Sequence, residues 1–505
     1  MSNQTKDRLI STTKFAYGAA VGLFGMLVLK YPDCAIFHDV PENIPRIKGF
    51  PLIGSIIQEV ANYEKYYGSQ HEQFTKLNTL TMVTSAVGLP LTITTIDPKN
   101  IEHFLRVNFS NYVKSDHFRT SLKGLFGHSI VLSEGHRWAY HRKAAVRIFS
   151  TKRLEDYFAH VIVTELNVMV KKVLDNYALD GAIIDLQDLF LKYTMDSFVM
   201  IAFGKNLNTL TSKEVVPVSE SFDKCVQHVF NMSTNPFTPI IDKFNNVFRG
   251  PQTKSINQHY DTLNDFAYTI IAERKDDLKN GHSFNDLLSV AMEQGNESGE
   301  EFSDEDLRDL IVSSIVAARD ANAAALSWGL LCIIQHPEVQ VKLLQEIENY
   351  LPENKNDQQQ QPLLFYEILR LYPPATVNFR DALNDDVWPD GTKIRKGNTV
   401  SINLYAQARS PKVWGDDCNE FKPERWLQPD GRLRHESQAK WPIFNVSPRA
   451  CIGQNLATLE SITAIVTLVQ RYKFSLVPNQ NFEYSVSLVM AMKHGLKVHV
   501  QNREN

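Results

Sequence analysis

The chain has 505 residues, of which 43% are hydrophobic and 22% are charged. These values are typical of a globular protein and exclude disordered, collagen-like and polytopic membrane proteins. The formal net charge of −4 gives no indication of a nucleic-acid partner. The 5 cysteines are widely and irregularly spaced, which predicts a reducing compartment rather than a disulfide framework.

An uncharged apolar segment, residues 15–29, lies near the N-terminus with a lysine on each side. It is shorter than the roughly 20 residues that a spanning helix needs. A start at Leu9, with both lysines reaching toward the headgroups, makes a span feasible. A buried core helix and a cleaved signal peptide are the alternatives, although no small-residue cleavage site follows Leu29. The favoured interpretation is an uncleaved membrane anchor over residues 1–32.

The rest of the chain divides into a connector and one domain. Residues 33–55 are rich in proline and glycine, which predicts an irregular connector. No repeat or long linker divides residues 56–505. Helical spacing of apolar residues dominates, in the segments 151–175, 183–203, 257–280 and 338–350. Short strand patterns occur at 80–95, 399–404, 482–490 and 495–500. The predicted fold class is therefore mainly α with small peripheral β-sheets.

Two polar segments interrupt these patterns. Residues 293–306 are acidic and have the composition of a loop, and a long helix is predicted to begin after Ser303. Ser303 is a good N-cap, and the three acidic residues after it favour the positive end of a long helix. Residues 354–361, NKNDQQQQ, have low complexity and predict a solvated loop.

Two helical motifs pair an arginine with a second side chain. Trp138 and Arg142 are four residues apart and share a helix face. Such an arginine can bind a carboxylate, for example a haem propionate, but a solvated arginine over a packed tryptophan is an equally good interpretation. Glu367 and Arg370 are three residues apart in an apolar setting, which predicts a buried pair that needs a further partner. Arg425 is the candidate partner.

The segment 444–453, FNVSPRACIG, carries the clearest chemistry. Cys451 lies in a turn before a helical pattern at 454–470, so backbone N–H groups and the positive helix end are expected to lower the thiol pKa. A thiolate held in this way is one known axial ligand of haem iron. The alternative is a buried structural cysteine, which is the more common role of a lone cysteine.

Four motifs follow one another in an order that resembles the cytochromes P450 over residues 44–500. They are Trp138/Arg142, Glu367/Arg370, residues 423–426 and the Cys451 loop. Residues 377–380 and 389–391 further resemble the fungal alkane and fatty-acid hydroxylase branch. The resemblance implies that Cys451 binds the iron of haem b. It implies that the cofactor is also held by Arg142, Trp138, Arg380, Arg449, Phe444 and Gly453. By the same resemblance, Glu367, Arg370 and Arg425 form a structural lock behind the haem.

The sequence departs from the family pattern in three places. Ser447 replaces a glycine in the cysteine loop, which is expected to strain or reshape that loop. The segment 351–366 is shorter than usual. In the long helix Asp320 is in place, but Ala321 replaces the threonine that normally completes an acid–alcohol proton relay. Asn322, the next residue, is polar but lies about 100° further round a straight helix. Asp320 and Asn322 are the polar residues at this position and are therefore the catalytic candidates.

The resemblance implies a monomeric monooxygenase in the endoplasmic reticulum membrane, facing the cytosol. Its substrate would be a lipophilic molecule such as a fatty acid or an alkane. Electrons would come from an NADPH-cytochrome P450 reductase that docks near Lys143 and Arg147. The alternatives are a haem-thiolate enzyme without dioxygen activation (a rearranging, dehydrating or peroxide-using enzyme) and a non-catalytic membrane carrier of haem or lipid. The candidate pocket walls are residues 112–130, 230–248, 375–379 and 485–490.

Overall fold

The computed structural model describes residues 3–149, 152–248, 250, 254–284, 286–298, 302–350 and 363–503. The first helices are α1 (Asn3–Lys30), α2 (Ile56–Ala61), α3 (Tyr66–Leu77), α4 (Pro98–Glu102), α5 (Asp116–Phe126), α6 (Gly135–Phe149), α7 (Lys152–Val168), α8 (Asp175–Asp180), α9 (Leu186–Phe203) and α10 (Pro217–Thr234). The later helices are α11 (Thr238–Phe248), α12 (Ile256–Lys279), α13 (Leu287–Ser298), α14 (Asp304–Gln335), α15 (Pro337–Tyr350), α16 (Leu363–Leu371), α17 (Leu404–Ala408), α18 (Pro411–Trp414) and α19 (Gln454–Arg471).

Short strands form small sheets at the side of this helical body. The strands are β1 (Thr81–Thr84), β2 (Thr92–Thr95), β3 (Tyr112–Lys114), β4 (Ile183–Asp185), β5 (Val377–Ala382), β6 (Asp386–Val387), β7 (Lys393–Ile394), β8 (Thr399–Asn403), β9 (Tyr472–Leu476) and β10 (Lys497–Asn502). One sheet has the order β1-β2-β8-β5-β3, a second has the order β4-β10-β9, and β6 pairs with β7. The predicted fold class, mainly α with small peripheral sheets, is confirmed.

The long helix α14 is the centre of the fold. It begins at a capping box in which Ser303 and Asp306 each bond the other's backbone N–H, as its sequence predicts. Helices α9, α12, α19 and α16 pack against it. A Cβ at Gly329 would lie 2.9 Å from a methyl carbon of Ile368, so glycine allows α16 to approach α14 closely. This close approach fixes the position of the helix that carries Glu367 and Arg370.

Two secondary-structure predictions are wrong. The segment 482–490 forms no strand, and β10 pairs with β4 and β9 instead. Its backbone carbonyls bond to side chains, because Tyr67 donates to Ser487 at 2.6 Å and Trp328 donates to Met490 at 2.8 Å. The predicted loop 293–306 begins as helix, since the apolar first turns of α13 propagate the helix to Ser298. The predicted polar loop at 354–361 lies outside the described residues.

Helix α1 differs from every other long helix in its exposure. It has 28 residues, and its apolar stretch Thr13–Lys30 has a mean hydropathy of 1.2 with none of it buried. Phe15 is 80% exposed and Leu29 is 82% exposed. Helix α14 has the same mean hydropathy, but 67% of that stretch is buried, as expected of a core helix. Helix α1 is therefore a candidate membrane anchor.

Candidate functional site

The loop before α19 is held by its own backbone. The N–H of Cys451 donates to the carbonyl of Phe444 at 2.7 Å, and Gly453 is the N-cap of α19. The one residue of this loop with a positive φ is Asn445, at φ 62° and ψ −179°, a combination that is usually restricted to glycine. Ser447 does not have a positive φ. Replacing glycine by Ser447 therefore introduces none of the left-handed strain that only glycine avoids.

The thiol of Cys451 differs from those of the other cysteines. It is exposed, whereas Cys34, Cys225, Cys332 and Cys418 are all buried. Burial nevertheless raises its pKa, outweighing the backbone N–H of Gly453 and the charge of Arg142, both of which lower it. The direction is opposite to the sequence-based expectation of a lowered pKa. A thiol that is both accessible and desolvated lies in a recess of the protein rather than on its outer surface.

Trp138 and Arg142, the two predicted haem-binding residues on α6, contact different groups of the protein. Arg142 donates to the backbone carbonyl of Ala450 at 2.5 Å, directly beside Cys451. It is the guanidinium of Arg449 that lies over the Trp138 ring, at 4.4 Å from the ring centre. Trp138 therefore supports Arg449, and Arg142 braces the cysteine loop.

A cluster of buried positive charges lies near this loop. Arg449 pairs with Glu134 at 2.5 Å and donates to the carbonyl of Ser133 at 2.9 Å. Arg380 on β5 is 1% exposed, and its Nη2 atom has no hydrogen-bond partner. Lys114 on β3 stands directly opposite Arg380 in the sheet register. Like charges in this position repel each other, so the pair needs an anion nearby.

The charges of this cluster do not balance. Burial and Arg449 lower the pKa of Arg380 to about 9, while burial, Arg380 and Arg449 lower the pKa of Lys114 well below its ordinary value. Glu134 is the carboxylate that opposes both effects. Two buried arginines and a partly buried lysine share one carboxylate, so their positive forms are costly without a further anion. The cluster is complementary to a ligand with two carboxylates.

Lys114 and Glu134 were missed by the sequence analysis. They lie on β3 and just before α6, and their partners Arg380 and Arg449 lie far along the chain. No local spacing connects these four positions. The acidic residue next to the Trp138 motif was the available signal, since a buried arginine near that motif requires a counter-charge.

One face of α14 is accessible although the helix is otherwise buried. Ala317 is exposed, and Ala318 and Ala321 are partly exposed, in the middle of a run of buried residues. Their spacing places them on one side of the helix. Accessible surface on a core helix marks an internal cavity, and small alanine side chains leave room in it.

Asp320 lies beside this face and is held by an ion pair. Its carboxylate accepts from Arg319 at 3.0 Å, and Arg319 also reaches Asp223 on α10 at 2.8 Å. Burial raises the pKa of Asp320 to about 6 despite the charge of Arg319. An acid with this pKa can hold a proton closer to neutral pH than an ordinary aspartic acid.

Asn322 does not share the accessible face. Its side chain is buried and its Nδ2 donates to Glu460 on α19. The structure therefore leaves Asp320 partly exposed next to the alanine face and turns Asn322 toward a second helix. This is the direction that the 100° step of a straight helix predicts.

Glu367 is the centre of a fully bonded network. It accepts two bonds of 2.8 Å from Arg370, one of 3.0 Å from the indole of Trp426 and one of 3.4 Å from Arg425. Arg370 also donates to the carbonyls of Ala408, Cys418 and Glu420. Glu367 and Arg370 have side-chain exposures of 0% and 1%. The three residues of the expected lock therefore meet in the structure, and their buried charges are satisfied.

The predicted pocket walls also meet. The Phe118 ring of α5 lies 5.5 Å from the Phe379 ring of β5. Phe230 of α10 packs with Val486 and Met490 in one apolar cluster. Each of the four predicted wall segments thus contributes to an apolar contact with another of them.

Comparison with known proteins agrees with this geometry. The family described as Cytochrome P450 matches residues 45–500. The chain is 33% identical to Cytochrome P450 86B1 of Arabidopsis thaliana, covering 81% of this chain and 77% of that protein. It is 31% identical to Cytochrome P450 monooxygenase cyp1 of Mycosarcoma maydis, covering 90% of this chain and 74% of that protein. The solved heme domain of cytochrome P450DA has a TM-score of 0.76 at 18% identity, covering 91% of this chain and 98% of that chain.

The cofactor of this family fits the charges of the site. Haem b carries two propionate carboxylates, which match the excess charge of Lys114, Arg380 and Arg449, including the unpartnered Nη2 of Arg380. The accessible thiol of Cys451 has the chemistry of an axial ligand. From the family match, the fold and this fit, we conclude that the chain belongs to the cytochrome P450 family and is a haem b-dependent P450 monooxygenase.

Proposed function

We propose that this P450 inserts one oxygen atom from O2 into a fatty acid, an alkane or a similar lipophilic molecule, with electrons from an NADPH-cytochrome P450 reductase. The observation that carries the proposal is the accessible thiol of Cys451, which stands apart from four buried cysteines. In this proposal Cys451 is the iron ligand, and the haem, when bound, supplies the activation of dioxygen.

The other site residues then hold the cofactor and a proton. Arg380, Arg449 and Lys114 bind the propionates, and Glu134 keeps Arg449 in position. Arg142 holds the carbonyl of Ala450 and so keeps the thiolate directed into the recess. Asp320 can accept and return a proton at its carboxyl group beside the accessible face of α14, because burial has raised its pKa to about 6.

The substrate class follows from the walls of the cavity. The aromatic rings of Phe118 and Phe379, the aliphatic side chain of Val486 and the alanine face of α14 are all apolar. Such walls favour an extended hydrocarbon over a polar metabolite. The motif resemblance to fatty-acid and alkane hydroxylases supports the same choice.

The membrane and the reductase are the proposed partners. Helix α1 anchors the protein, by analogy with the family in the endoplasmic reticulum membrane with the catalytic domain in the cytosol. Lys143 is exposed on α6, next to Arg142, where a positive side chain can attract an acidic flavoprotein. The side chain of Arg147, the second expected contact, lies outside the described part of the chain.

A substrate panel tests this proposal. The purified full-length chain is combined with a P450 reductase, NADPH and a series of fatty acids and alkanes, and products are identified by mass spectrometry. We expect a hydroxylated product that requires NADPH, reductase and O2 together. The missing alcohol at Ala321 favours one second candidate, a haem-thiolate enzyme that rearranges, dehydrates or uses peroxide. Product formation without NADPH and reductase would support this candidate and contradict the monooxygenase.

A further inference from the structure

Three of the 6 tryptophans of the chain lie together beside the cysteine loop. The Trp441 ring lies 5.9 Å from the Phe444 ring and 5.3 Å from the Trp426 ring. The Trp426 ring lies 5.6 Å from the Trp414 ring. The carbonyl of Phe444 accepts from the N–H of Cys451 at 2.7 Å. The rings therefore form a continuous series of contacts that begins at the candidate iron ligand.

A tyrosine adds a phenol to this series. The Tyr366 ring lies 4.8 Å from the Trp441 ring and 5.5 Å from the Trp426 ring. Tyr366 is partly exposed, whereas Trp426 is 1% exposed. Indole and phenol rings are the aromatic groups of proteins that give up an electron most readily. The series thus connects the cysteine loop to an oxidisable ring that solvent can reach.

The three indoles differ in the partners of their N–H groups. The N–H of Trp426 donates to the buried carboxylate of Glu367 at 3.0 Å. Within the described part of the chain, the N–H groups of Trp414 and Trp441 have no hydrogen-bond partner. A bonded carboxylate stabilises positive charge on the ring. Loss of an electron is therefore most favourable at Trp426.

The cations around Glu367 do not cancel this effect. Arg370 and Arg425 both contact Glu367, and Asp417 pairs with Arg425 at 2.6 Å. Two carboxylates thus balance two guanidinium groups next to the Trp426 indole, and no net positive charge opposes the loss of an electron there.

Trp414 is in the opposite situation. The ammonium group of Lys440 lies 4.7 Å from the centre of its ring, and the guanidinium of Arg370 lies 5.3 Å from it. A cation is attracted to the electrons of a neutral ring, and it opposes the formation of positive charge on that ring. Trp414 is therefore a side branch of the series.

We propose that Trp441, Trp426 and Tyr366 form an electron-transfer route that returns electrons to the oxidised haem when no substrate is consumed. Trp426 holds the electron vacancy, and Tyr366 passes it to solvent. This inference rests on the proposed haem-thiolate function. The alcohol is missing at Ala321, so this chain is expected to form oxidant without product. The route protects the Cys451 thiolate from that oxidant.

The steps of the route balance in electrons and protons. Each hydrogen peroxide takes up two electrons and two protons as it is reduced to two molecules of water. Each electron moves from Trp441 toward the haem, from Trp426 to Trp441 and from Tyr366 to Trp426. The O–H bond of Tyr366 breaks as its electron leaves, and the proton goes to solvent. A one-electron reductant of the ascorbate class and a solvent proton then restore the phenol.

Freeze-quench electron paramagnetic resonance tests the route without relying on turnover. The full-length ferric holoenzyme, without substrate, is mixed with hydrogen peroxide and frozen rapidly. We expect an organic radical signal with a tryptophanyl and a tyrosyl part, which ring-deuterated tryptophan and tyrosine distinguish. Tyr366→Phe should lose the tyrosyl part and increase the tryptophanyl part, because the electron vacancy then stays on Trp426. Trp441→Phe should lower both parts.

Trp414→Phe is the matched control, since it removes a neighbouring indole that the route does not use. It should leave both parts of the signal in place. Haem content and the carbon-monoxide spectrum are measured first, so that the variants are compared at equal loading. Radical signals that are the same in Tyr366→Phe and Trp441→Phe as in the unmodified protein would overturn the proposal. A signal lost equally in Trp414→Phe would also overturn it.

Haem bleaching tests the protective role. With NADPH and reductase but no substrate, Trp441→Phe should lose its haem absorbance faster than the unmodified protein. Ascorbate should slow the bleaching of the unmodified protein more than that of Tyr366→Phe. Equal bleaching in all three proteins would contradict protection. An unmodified chain that forms these radicals with peroxide but no product with NADPH and reductase would contradict the proposed function alone and leave the route in place.

Discussion

The accessibility of a single sulfur atom separates the candidate iron ligand from the other cysteines. All five thiols are unpaired, so disulfide chemistry does not distinguish them. Cys332 lies in α14 and Cys225 in α10, and burial raises the pKa of both. Cys451 has a neighbouring arginine and a backbone N–H that favour its thiolate once an iron is present.

Cys451→Ala should therefore abolish haem-thiolate spectroscopy. We expect the reduced carbon-monoxide complex of the unmodified protein to show the red-shifted Soret band of thiolate ligation, and the variant to lose it. Cys225→Ala is the matched control, because Cys225 is also unpaired but buried. A normal spectrum in the Cys451 variant would contradict the ligand assignment.

With alanine at position 321, the enzyme should consume more NADPH than it uses to form product. Without the alcohol, proton supply depends on Asp320 and on groups that act through water, so we expect hydrogen peroxide to form in excess of product. Ala321→Thr should raise the product formed per NADPH. Ala317→Thr is the control, since it places the same hydroxyl on the same accessible face one turn earlier and should not improve coupling. Tight coupling in the unmodified protein would show that the missing alcohol has been replaced.

The residue patterns identified those parts of the site that lie within one segment. The Glu367/Arg370 pair and the Cys451 loop each occupy a few consecutive residues. Lys114, Glu134 and Glu460 were not predicted, because their partners come from elements distant in sequence. Helical spacing predicted that Trp138 pairs with Arg142, but in the structure the Trp138 ring contacts Arg449, which is distant in sequence.

At the scale of elements, the Glu367 network joins α16 to the turn Pro423–Trp426, to the end of α17 and to the segment after α18. Arg370 alone bonds three carbonyls there, so the pair fixes several backbone segments at once. Trp426 adds its indole both as a donor to Glu367 and as a packing surface for Trp414 and Trp441. This part of the fold depends on one carboxylate.

Glu367→Ala should give a protein that does not fold to a haem-binding state. It leaves Arg370 buried without its carboxylate, which costs about 3–5 kcal/mol, a large part of the stability of a typical domain. The control is Glu424→Ala in the adjoining turn, whose carboxylate is 42% exposed and pairs with Lys342. We expect that control to be nearly neutral by thermal unfolding and haem content. A folded, haem-loaded Glu367 variant would contradict the predicted lock.

Helical elements were predicted better than strands for a physical reason. The spacing of apolar residues found α9, α12 and α15 to within a few residues, since one face of each is buried. The segment 482–490 has alternating apolar residues, but its side chains fill a cluster around Tyr67 instead of a sheet face. Strand pairing depends on a partner elsewhere in the chain, which the alternation itself does not specify.

At the scale of the whole molecule, the junction between α1 and the body is more sharply defined than the sequence suggested. The predicted anchor ends at residue 32, but Tyr31 is already buried and its carbonyl accepts from the N–H of Leu52 at 3.1 Å. Asp33 pairs with Arg46 at 3.0 Å. The body therefore begins at Tyr31, and the helix before it makes up the exposed apolar segment.

Deleting residues 1–30 should release most of the protein from membranes while haem binding is kept, because the deletion spares Tyr31 and its bond to Leu52. Deleting residues 1–32 removes both and should lower the thermal stability as well. Phe24→Lys in the full-length chain is the matched variant that tests whether insertion of apolar side chains holds the protein at the membrane. A lysine at the centre of a spanning helix raises the free energy of insertion by about 2.5–3.5 kcal/mol. Membrane and soluble fractions after ultracentrifugation, each with its haem content, measure the outcome.

Loops near the pocket are expected to leave the shortened chain with some residual membrane affinity. Recovery of the unmodified full-length chain entirely in the soluble fraction would show that α1 is no anchor.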